Sequence, residues 1–312
     1  MITRCSWRLA PLALAALLVP CGFIAAAEGG GPAGIDPQVQ VIRPVYPVGE
    51  PVTIELDLHN VSSVPATIEG ECLRPSAFSV TRSGGGGSSR ARKNSREDDQ
   101  QVPAGKSYTR TYDLSEHFKE LREAGRYRVT WTCRSVSSRM QEIFVAEPYD
   151  PERDKVAVVD TDLGTLELVM MPQQAPLHVE NFVMLARAGY FDGVTFSKLI
   201  PDLEIESGSR GGDEAATWNL QLPPEIDRSI LPGRGLVGAV RRQTSMTSAT
   251  QFFILLKAQA GYRGLHTFFA YVRKGDEVLD ALNKIGILGD TGFGAFRPAK
   301  QVSIRKIEIR AE

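Results

Sequence analysis

The sequence predicts a mainly β protein with two domains and few helices. The chain has 312 residues, which is long for one compact domain and suggests about two. Runs of alternating apolar and polar residues occur at Val52–His59 and Tyr127–Arg134, and such alternation is typical of half-buried strands. A polar segment with two prolines, 148–155, follows them. We therefore predict an N-terminal domain over 36–147, a linker, and a C-terminal domain over 156–311.

Residues 1–27 have the pattern of an export signal. Arg4 and Arg8 precede an apolar run that ends in three alanines, which is the order of a basic region, an apolar region and a cleavage site. We expect cleavage after Ala27 and a periplasmic or extracellular location. A second interpretation stays open, because Cys21 follows a sequence that partly resembles a lipoprotein box. Only a lipid on Cys21 would then anchor the protein to a membrane.

The pattern of residues 36–147 is typical of an immunoglobulin-like β-sandwich. Turn signals such as Pro47-Val48-Gly49 and Pro103-Ala104-Gly105 separate its alternating runs, as expected for antiparallel strands. A glycine-rich stretch, 84–89, and a basic stretch, 90–96, are interpreted as a solvated loop. The alternative, a basic patch for nucleic acid, is disfavoured by the acids that follow and by the net charge of −1, so we predict no nucleic-acid partner.

Two cysteines remain once the predicted signal is removed, Cys72 and Cys133. An even pair in an exported chain predicts one disulfide. Cys133 lies on the same alternating face as Trp131, so its side chain should point inwards. Two cysteines are too few for a structural zinc site, and we predict no metal.

The C-terminal domain combines short strands with two helices. The predicted elements are a hairpin around Gly164, a helix from Pro176 to a stop at Gly189, strands at Gln251–Lys257 and Thr267–Val272, a helix from Asp276 to Lys284, and a last strand at Val302–Ile307. Pro at a helix start and Gly at its end are the usual boundary residues. Two helices among many strands predict a closed β-barrel capped by helices.

Several motifs in a fixed order give this domain a family resemblance. They are Val179-Glu180-Asn181-Phe182, the stretch from Gly193 to Pro201, Thr250-Gln251-Phe252-Phe253-Ile254, and His266-Thr267-Phe268-Phe269. In their order and spacing they resemble the cyclophilin-type peptidyl-prolyl cis-trans isomerases, and several ordered matches are more specific than one motif. The resemblance implies a cyclophilin-like closed barrel, proline-containing polypeptides as substrates and no cofactor.

The chemistry of such an isomerase needs a dry apolar pocket and a hydrogen-bond donor. Rotation about an X-Pro bond faces a barrier of about 18 to 20 kcal/mol, which a donor lowers by stabilising the twisted amide. The resemblance assigns the donor to Lys198, where the family has arginine. Lysine keeps the charge but loses the planar fork. Glu206 replaces a glutamine, and we expect it to pair with Lys198 and compete with substrate.

The resemblance also assigns the substrate-binding residues, which are Leu203, Gln251, Phe253, Tyr262 and His266. Of these, Gln251, Phe253 and His266 match the family, with Phe253 as the pocket floor. We expect Tyr262 to fill the space left where the family has a large residue and this chain has Gly261. Glu204 replaces a methionine and places a carboxyl group beside a pocket that works by being dry.

Two hypotheses about function follow. The first is an exported peptidyl-prolyl isomerase that assists the folding of extracytoplasmic proteins. The second is a catalytically weak or inactive cyclophilin-like module that binds peptides or stabilises an assembly. The departures at Lys198, Glu204, Glu206 and Gly261 motivate the second hypothesis.

Overall fold

The computed structural model describes residues 34–85, 89–91, 96–210, 220–241, 245–290 and 296–312. The predicted signal at 1–27, with Cys21, lies outside the described residues, as does much of the predicted solvated loop. Within the described part of the chain, no helix is both long enough and apolar enough to cross a membrane. The predicted class, mainly β with few helices, is confirmed.

In its described residues, the N-terminal half has two main, mostly antiparallel sheets and short pairings around them. Its strands are β1 (Ile35–Val41), β2 (Tyr46–Pro47), β3 (Thr53–Asn60), β4 (Ala66–Ile68), β5 (Phe78–Arg82), β6 (Ser89–Arg90), β7 (Gln100–Val102), β8 (Ser107–Asp113), β9 (Gly125–Cys133), β10 (Val136–Ser137) and β11 (Gln141–Ala146). One sheet has the order β1-β3-β8, and the other has the order β2-β11-β9-β5-β6 with β10 beside β9. The β2 and β11 strands run parallel, while β4 pairs with β7. Short 3-10 helices lie at Gly70–Leu73, Pro75–Ala77, Leu114–Glu116 and Lys119–Arg122.

Alternation in the sequence explains how the core of this half is built. Along β3, every second side chain is buried, including Ile54 and Leu56, because neighbouring residues of a strand point to opposite faces. Trp131 on β9 is fully buried, and its indole Nε1–H donates to the carbonyl oxygen of Cys72 over 2.9 Å. The predicted disulfide between Cys72 and Cys133 is present, with Cα atoms 5.2 Å apart.

In its described residues, the C-terminal half has one large sheet, a separate strand pair and two α-helices. Its strands are β12 (Val156–Thr161), β13 (Gly164–Met170), β14 (Lys198–Ile200), β15 (Glu204–Ser207), β16 (Gln221–Leu222), β17 (Leu236–Ala239), β18 (Thr247–Ser248), β19 (Phe252–Leu255), β20 (Phe268–Lys274), β21 (Ile287–Asp290), β22 (Phe296–Pro298) and β23 (Ile304–Arg310). The helices are α1 (Pro176–Arg187) and α2 (Asp276–Asn283), and a 3-10 helix lies at Ala260–Tyr262. The predicted hairpin and both predicted helices are confirmed.

Ten strands pair in the order β21-β22-β14-β15-β19-β17-β20-β13-β12-β23, while β16 pairs with β18 apart from them. Among the described residues these pairings form an open path, so the predicted closed ring is not found there. Backbone bonds nevertheless connect the segment before β14 with the start of β23. The Gly193 N–H donates to the Ile304 carbonyl over 2.8 Å, and the Phe196 N–H donates to the Val302 carbonyl over 3.0 Å.

The large sheet is buried on both faces at β19. Phe252 and Ile254 belong to the main core with α1 and α2. Phe253 and Leu255, which point the other way, form a second apolar cluster with Leu236, Val240 and Phe268. The motif Gln-Phe-Phe-Ile therefore supplies both the main core and the opposite face of the sheet.

The two halves of the chain share part of the main core. Phe144 on β11 is 4% exposed and packs with residues of the C-terminal half. Its ring meets Tyr190 edge-on, with centroids 5.0 Å apart. Beside this contact, the Arg210 guanidinium lies 3.3 Å from the Glu142 carboxylate. The N-terminal half is thus packed directly against the domain with the predicted site.

Candidate active site

The predicted donor and the predicted pocket floor lie in one row across five neighbouring strands. Lys198 pairs with Glu206, Glu206 with Phe253, Phe253 with Gly238, and Gly238 with Phe268. Residues opposite each other in adjacent strands have side chains on the same face and within contact range. Strand register therefore places the cation, the carboxylate and the aromatic floor on the outer face of the sheet.

Lys198 and Glu206 form the expected ion pair. The Lys198 Nζ lies 3.5 Å from the Glu206 Oε2, and the side chains are 12% and 17% exposed. The separation is longer than the roughly 2.7 to 2.9 Å of a close charge-assisted hydrogen bond. The Lys198 ammonium is therefore held by a longer contact to a carboxylate that lies opposite Phe253 on the same face of the sheet. The catalytic role of either residue stays a prediction.

Aromatic rings surround Phe253. Its centroid is 5.9 Å from that of Tyr262 and 5.2 Å from that of His266, both edge-on. Tyr262 stacks on His266, with centroids 4.4 Å apart, and its expected role in filling the space at Gly261 stays a prediction. Because of these neighbours, Phe253 is only 2% exposed.

Gly238 makes room for the Phe253 ring. A Cβ atom at Gly238 would lie 2.4 Å from the Phe253 Cζ, a distance that real Cβ contacts do not reach. Glycine therefore lets the ring lie flat across β17.

His266 is held in its neutral form. Burial, helped by the positive charge of Arg241, lowers the pKa of His266 to about 4. Its Nδ1 is buried and has no hydrogen-bond partner among the described residues. At neutral pH the ring is thus an uncharged wall of the pocket.

Glu204 belongs to the site, although it is absent from the predicted set of site residues. It begins β15, its side chain lies on the same face as that of Glu206, and it is 8% exposed. The Tyr262 hydroxyl is near enough to its carboxyl group to favour the ionised form. Burial first, and the Glu206 charge second, raise the pKa of Glu204 to about 7. The methionine-to-glutamate departure in the sequence was the signal that could have identified it.

The two remaining predicted residues lie at the margins of this arrangement. Leu203 is half-buried in the turn before β15, and its carbonyl accepts from the Leu256 N–H over 2.8 Å. It is not a member of the apolar cluster around Phe253 in the described structure. Gln251 is 4% exposed immediately before β19, and its N–H donates to the Ser248 hydroxyl over 3.0 Å.

A buried polar network, which sequence reasoning missed, supports the segment before Gln251. The His178 ring on α1 lies 2.6 Å from the Glu225 carboxylate through Nδ1 and 2.7 Å from the Thr247 hydroxyl through Nε2. Glu225 also accepts from the backbone N–H of His178 over 3.0 Å, at the first turn of the helix. No local motif indicated this network, because its three residues are far apart in the sequence.

Comparisons with known proteins identify the family of the C-terminal half. Residues 156–309 match the family model described as cyclophilin type peptidyl-prolyl cis-trans isomerase/CLD. Peptidyl-prolyl cis-trans isomerase CYP18-1 of Arabidopsis thaliana is 31% identical over 155 residues, covering 48% of this chain and 93% of that protein. The chain belongs to the cyclophilin-type peptidyl-prolyl cis-trans isomerase family.

Other relatives are longer than the shared domain. Peptidyl-prolyl isomerase CWC27 of Cryptococcus neoformans is 31% identical over 164 residues, which cover 51% of this chain and 33% of that protein. The mouse peptidylprolyl isomerase domain and WD repeat-containing protein 1 is 28% identical over 159 residues, covering 49% of this chain and 24% of that protein. The chain thus spans a third or less of these two relatives. A solved Cryptosporidium parvum cyclophilin type isomerase has a TM-score of 0.46 and 22% identity, covering 51% of this chain and 98% of that chain.

Proposed function

We propose that this protein is an exported peptidyl-prolyl cis-trans isomerase that assists the folding of extracytoplasmic proteins. The observation that supports this function best is the cross-strand row in which Lys198 and Glu206 stand beside Phe253. It brings a cationic donor and an apolar floor to one face of the sheet. Those are the two components that isomerisation of an X-Pro bond requires.

In the proposed mechanism the proline ring packs against Phe253 and its neighbouring aromatic rings. As the amide twists, its nitrogen loses conjugation and becomes basic. The Lys198 ammonium leaves Glu206 and donates a hydrogen bond to that nitrogen or to the neighbouring carbonyl oxygen. A hydrogen bond to a charged group contributes about 1.5 to 3 kcal/mol, which corresponds to an acceleration of about 10- to 160-fold. No covalent intermediate or cofactor takes part.

We propose the same architecture as the sequence predicted, an immunoglobulin-like sandwich followed by a closed barrel. The backbone bonds from Gly193 and Phe196 to the start of β23 support closure of the barrel. The two packed sheets and the Cys72–Cys133 bridge support the sandwich. A disulfide is also typical of oxidising compartments, which supports the proposed periplasmic or extracellular location alongside the signal pattern at 1–27.

Exchange NMR on an Ala-Pro peptide tests the proposed activity. The mature protein should accelerate cis/trans exchange. Lys198→Ala should reduce this acceleration by a factor of at least about ten, and Lys198→Arg should retain or increase it. Lys274→Ala is the matched control, because Lys274 is 72% exposed and pairs with Glu167 at the end of β20. Acceleration that is indifferent to both Lys198 variants would refute the assigned role.

The second candidate function is peptide binding without catalysis. One observation favours it: Lys198 is already paired with Glu206, so the cation that would act on the twisted amide is occupied. In this case the same NMR experiment would show shifts of the pocket resonances on peptide addition with no change in the exchange rate. The two outcomes therefore separate the isomerase from the binding module.

A further inference from the structure

Two carboxyl groups lie on the pocket side of β15, and they differ in their surroundings. Glu206 has the Lys198 ammonium 3.5 Å away. Glu204 is 8% exposed and has the Tyr262 hydroxyl as a polar neighbour. Its opposite residues in the sheet, Ile200 and Leu255, are apolar. Within the described part of the chain, no basic side chain forms an ion pair with Glu204.

Tyr262 lies next to both the pocket floor and the Glu204 carboxyl. The Tyr262 ring touches the edge of Phe253, with centroids 5.9 Å apart, and its hydroxyl reaches Glu204. The carboxyl group is therefore one tyrosine away from the floor on which a proline ring would lie. A residue next to that proline would come within reach of Glu204.

Ionised Glu204 would be a desolvated charge with little compensation. Transfer of a carboxylate from water to apolar surroundings is costly unless a cation or several donors compensate it, and the nearby Glu206 charge adds repulsion. A cation brought by the ligand would supply the missing compensation. An acidic ligand residue at the same place would meet two carboxylates.

We infer that Glu204 is a specificity residue and that the site selects prolines with a lysine or arginine as an immediate neighbour. This inference rests on the proposed function, because it assumes that the proline ring binds at Phe253. The expected substrates are basic segments of unfolded polypeptide rather than acidic ones.

The test uses the mature protein and peptides that differ in one residue. Lysine, alanine or glutamate is placed immediately before the proline in one series and immediately after it in another. Exchange NMR gives kcat/KM, and chemical-shift titration gives the affinity of each peptide. In at least one series, we expect the lysine peptide to exceed the alanine peptide by about tenfold, the size of one charge-assisted contact, and the glutamate peptide to be the poorest.

Variants then assign the preference to Glu204. In Glu204→Gln, which keeps an acceptor for Tyr262, the ratio of kcat/KM for the lysine peptide to that for the alanine peptide should fall close to one. Glu204→Asp, which keeps the carboxyl group, should keep part of the preference for lysine. The control is Glu277→Gln, an exposed residue of α2, which should leave the ratio unchanged. Equal values for lysine, alanine and glutamate peptides in both series would overturn the inference.

Failure of the inference can be distinguished from failure of the proposed function. If no peptide is isomerised faster, the isomerase proposal fails, and the affinities alone then decide the charge preference. If exchange is accelerated equally for all peptides, the isomerase proposal stands and the Glu204 inference is wrong. A preference that persists in Glu204→Gln would also overturn it.

Discussion

Glu204→Gln should make the protein more stable at alkaline pH but not at acidic pH. The substitution removes the charge of a carboxyl group that is 8% exposed, while it keeps the size and the acceptor that Tyr262 uses. Burial and the charge of Glu206 raise the pKa of Glu204 from 4.5 to about 7 in the folded state. The folded protein therefore binds this proton more tightly than the unfolded chain does.

The sign and size of the effect follow from this difference. A carboxyl group with a raised pKa contributes stability that is complete below pH 4.5 and lost as the pH rises through about 7. At about 1.4 kcal/mol for each pH unit between the two values, ionised Glu204 costs about 3 kcal/mol of unfolding free energy. Glutamine avoids that cost because it has no charge to desolvate.

Urea denaturation of the wild type and of Glu204→Gln at pH 4 and pH 8 measures the effect. The stability difference between the two proteins should increase by about 3 kcal/mol in favour of the variant between these pH values. All other titrating groups are common to both proteins and largely cancel in the difference. Glu277→Gln, the exposed control, should show no such increase. A difference between wild type and Glu204→Gln that does not change with pH would refute the buried-carboxyl interpretation.

Three further substitutions test other parts of the structure. Gly238→Ala should displace the Phe253 ring, because the new Cβ would lie 2.4 Å from its Cζ. We expect the free energy of unfolding to fall by about 1 to 3 kcal/mol in thermal unfolding, and peptide binding to weaken by NMR. Unchanged stability with unchanged binding would contradict this packing. Replacing Cys72 and Cys133 by serine opens a loop with a sequence separation of 61. Denaturation should show that the free energy of unfolding falls by about 4 kcal/mol. A double variant as stable as the wild type would refute a stabilising bridge. Phe144→Ala should lower the free energy of unfolding by about 3 to 5 kcal/mol. In hydrogen exchange it should weaken the protection of amides in α1 as well as in β11. An effect confined to the N-terminal half would argue against a shared core.

Local pattern was sufficient to predict most of the framework. Alternation placed Ile54 and Leu56 inside β3, since period-two burial has no other simple explanation. Proline at position 176 and glycine at 189 gave the limits of α1 closely. The order of motifs, and not any single one, indicated the family. In each case the information lies within a few neighbouring residues or in their fixed spacing.

Contacts between distant segments could not be predicted in the same way. The approach of the Tyr262 hydroxyl to Glu204 depends on how a 3-10 helix lies relative to β15, which no periodicity specifies. Phe144 carried no signal in the sequence that it faces the C-terminal core. His178 was hidden for another reason, because a polar residue on an apolar helix face has no sequence signal until its partners are known.

The two faces of β19 explain how the family fold can coexist with an altered site. Phe252 and Ile254 pack into the main core, which determines how the large sheet and its helices assemble. Phe253 points to the other face, where Glu204 and Glu206 also lie. Because neighbouring strand residues point in opposite directions, substitutions on the outer face change charge and affinity while leaving inner packing intact. The outer face can therefore acquire a buried carboxyl group that costs about 3 kcal/mol when ionised, provided that the inner core offsets this cost.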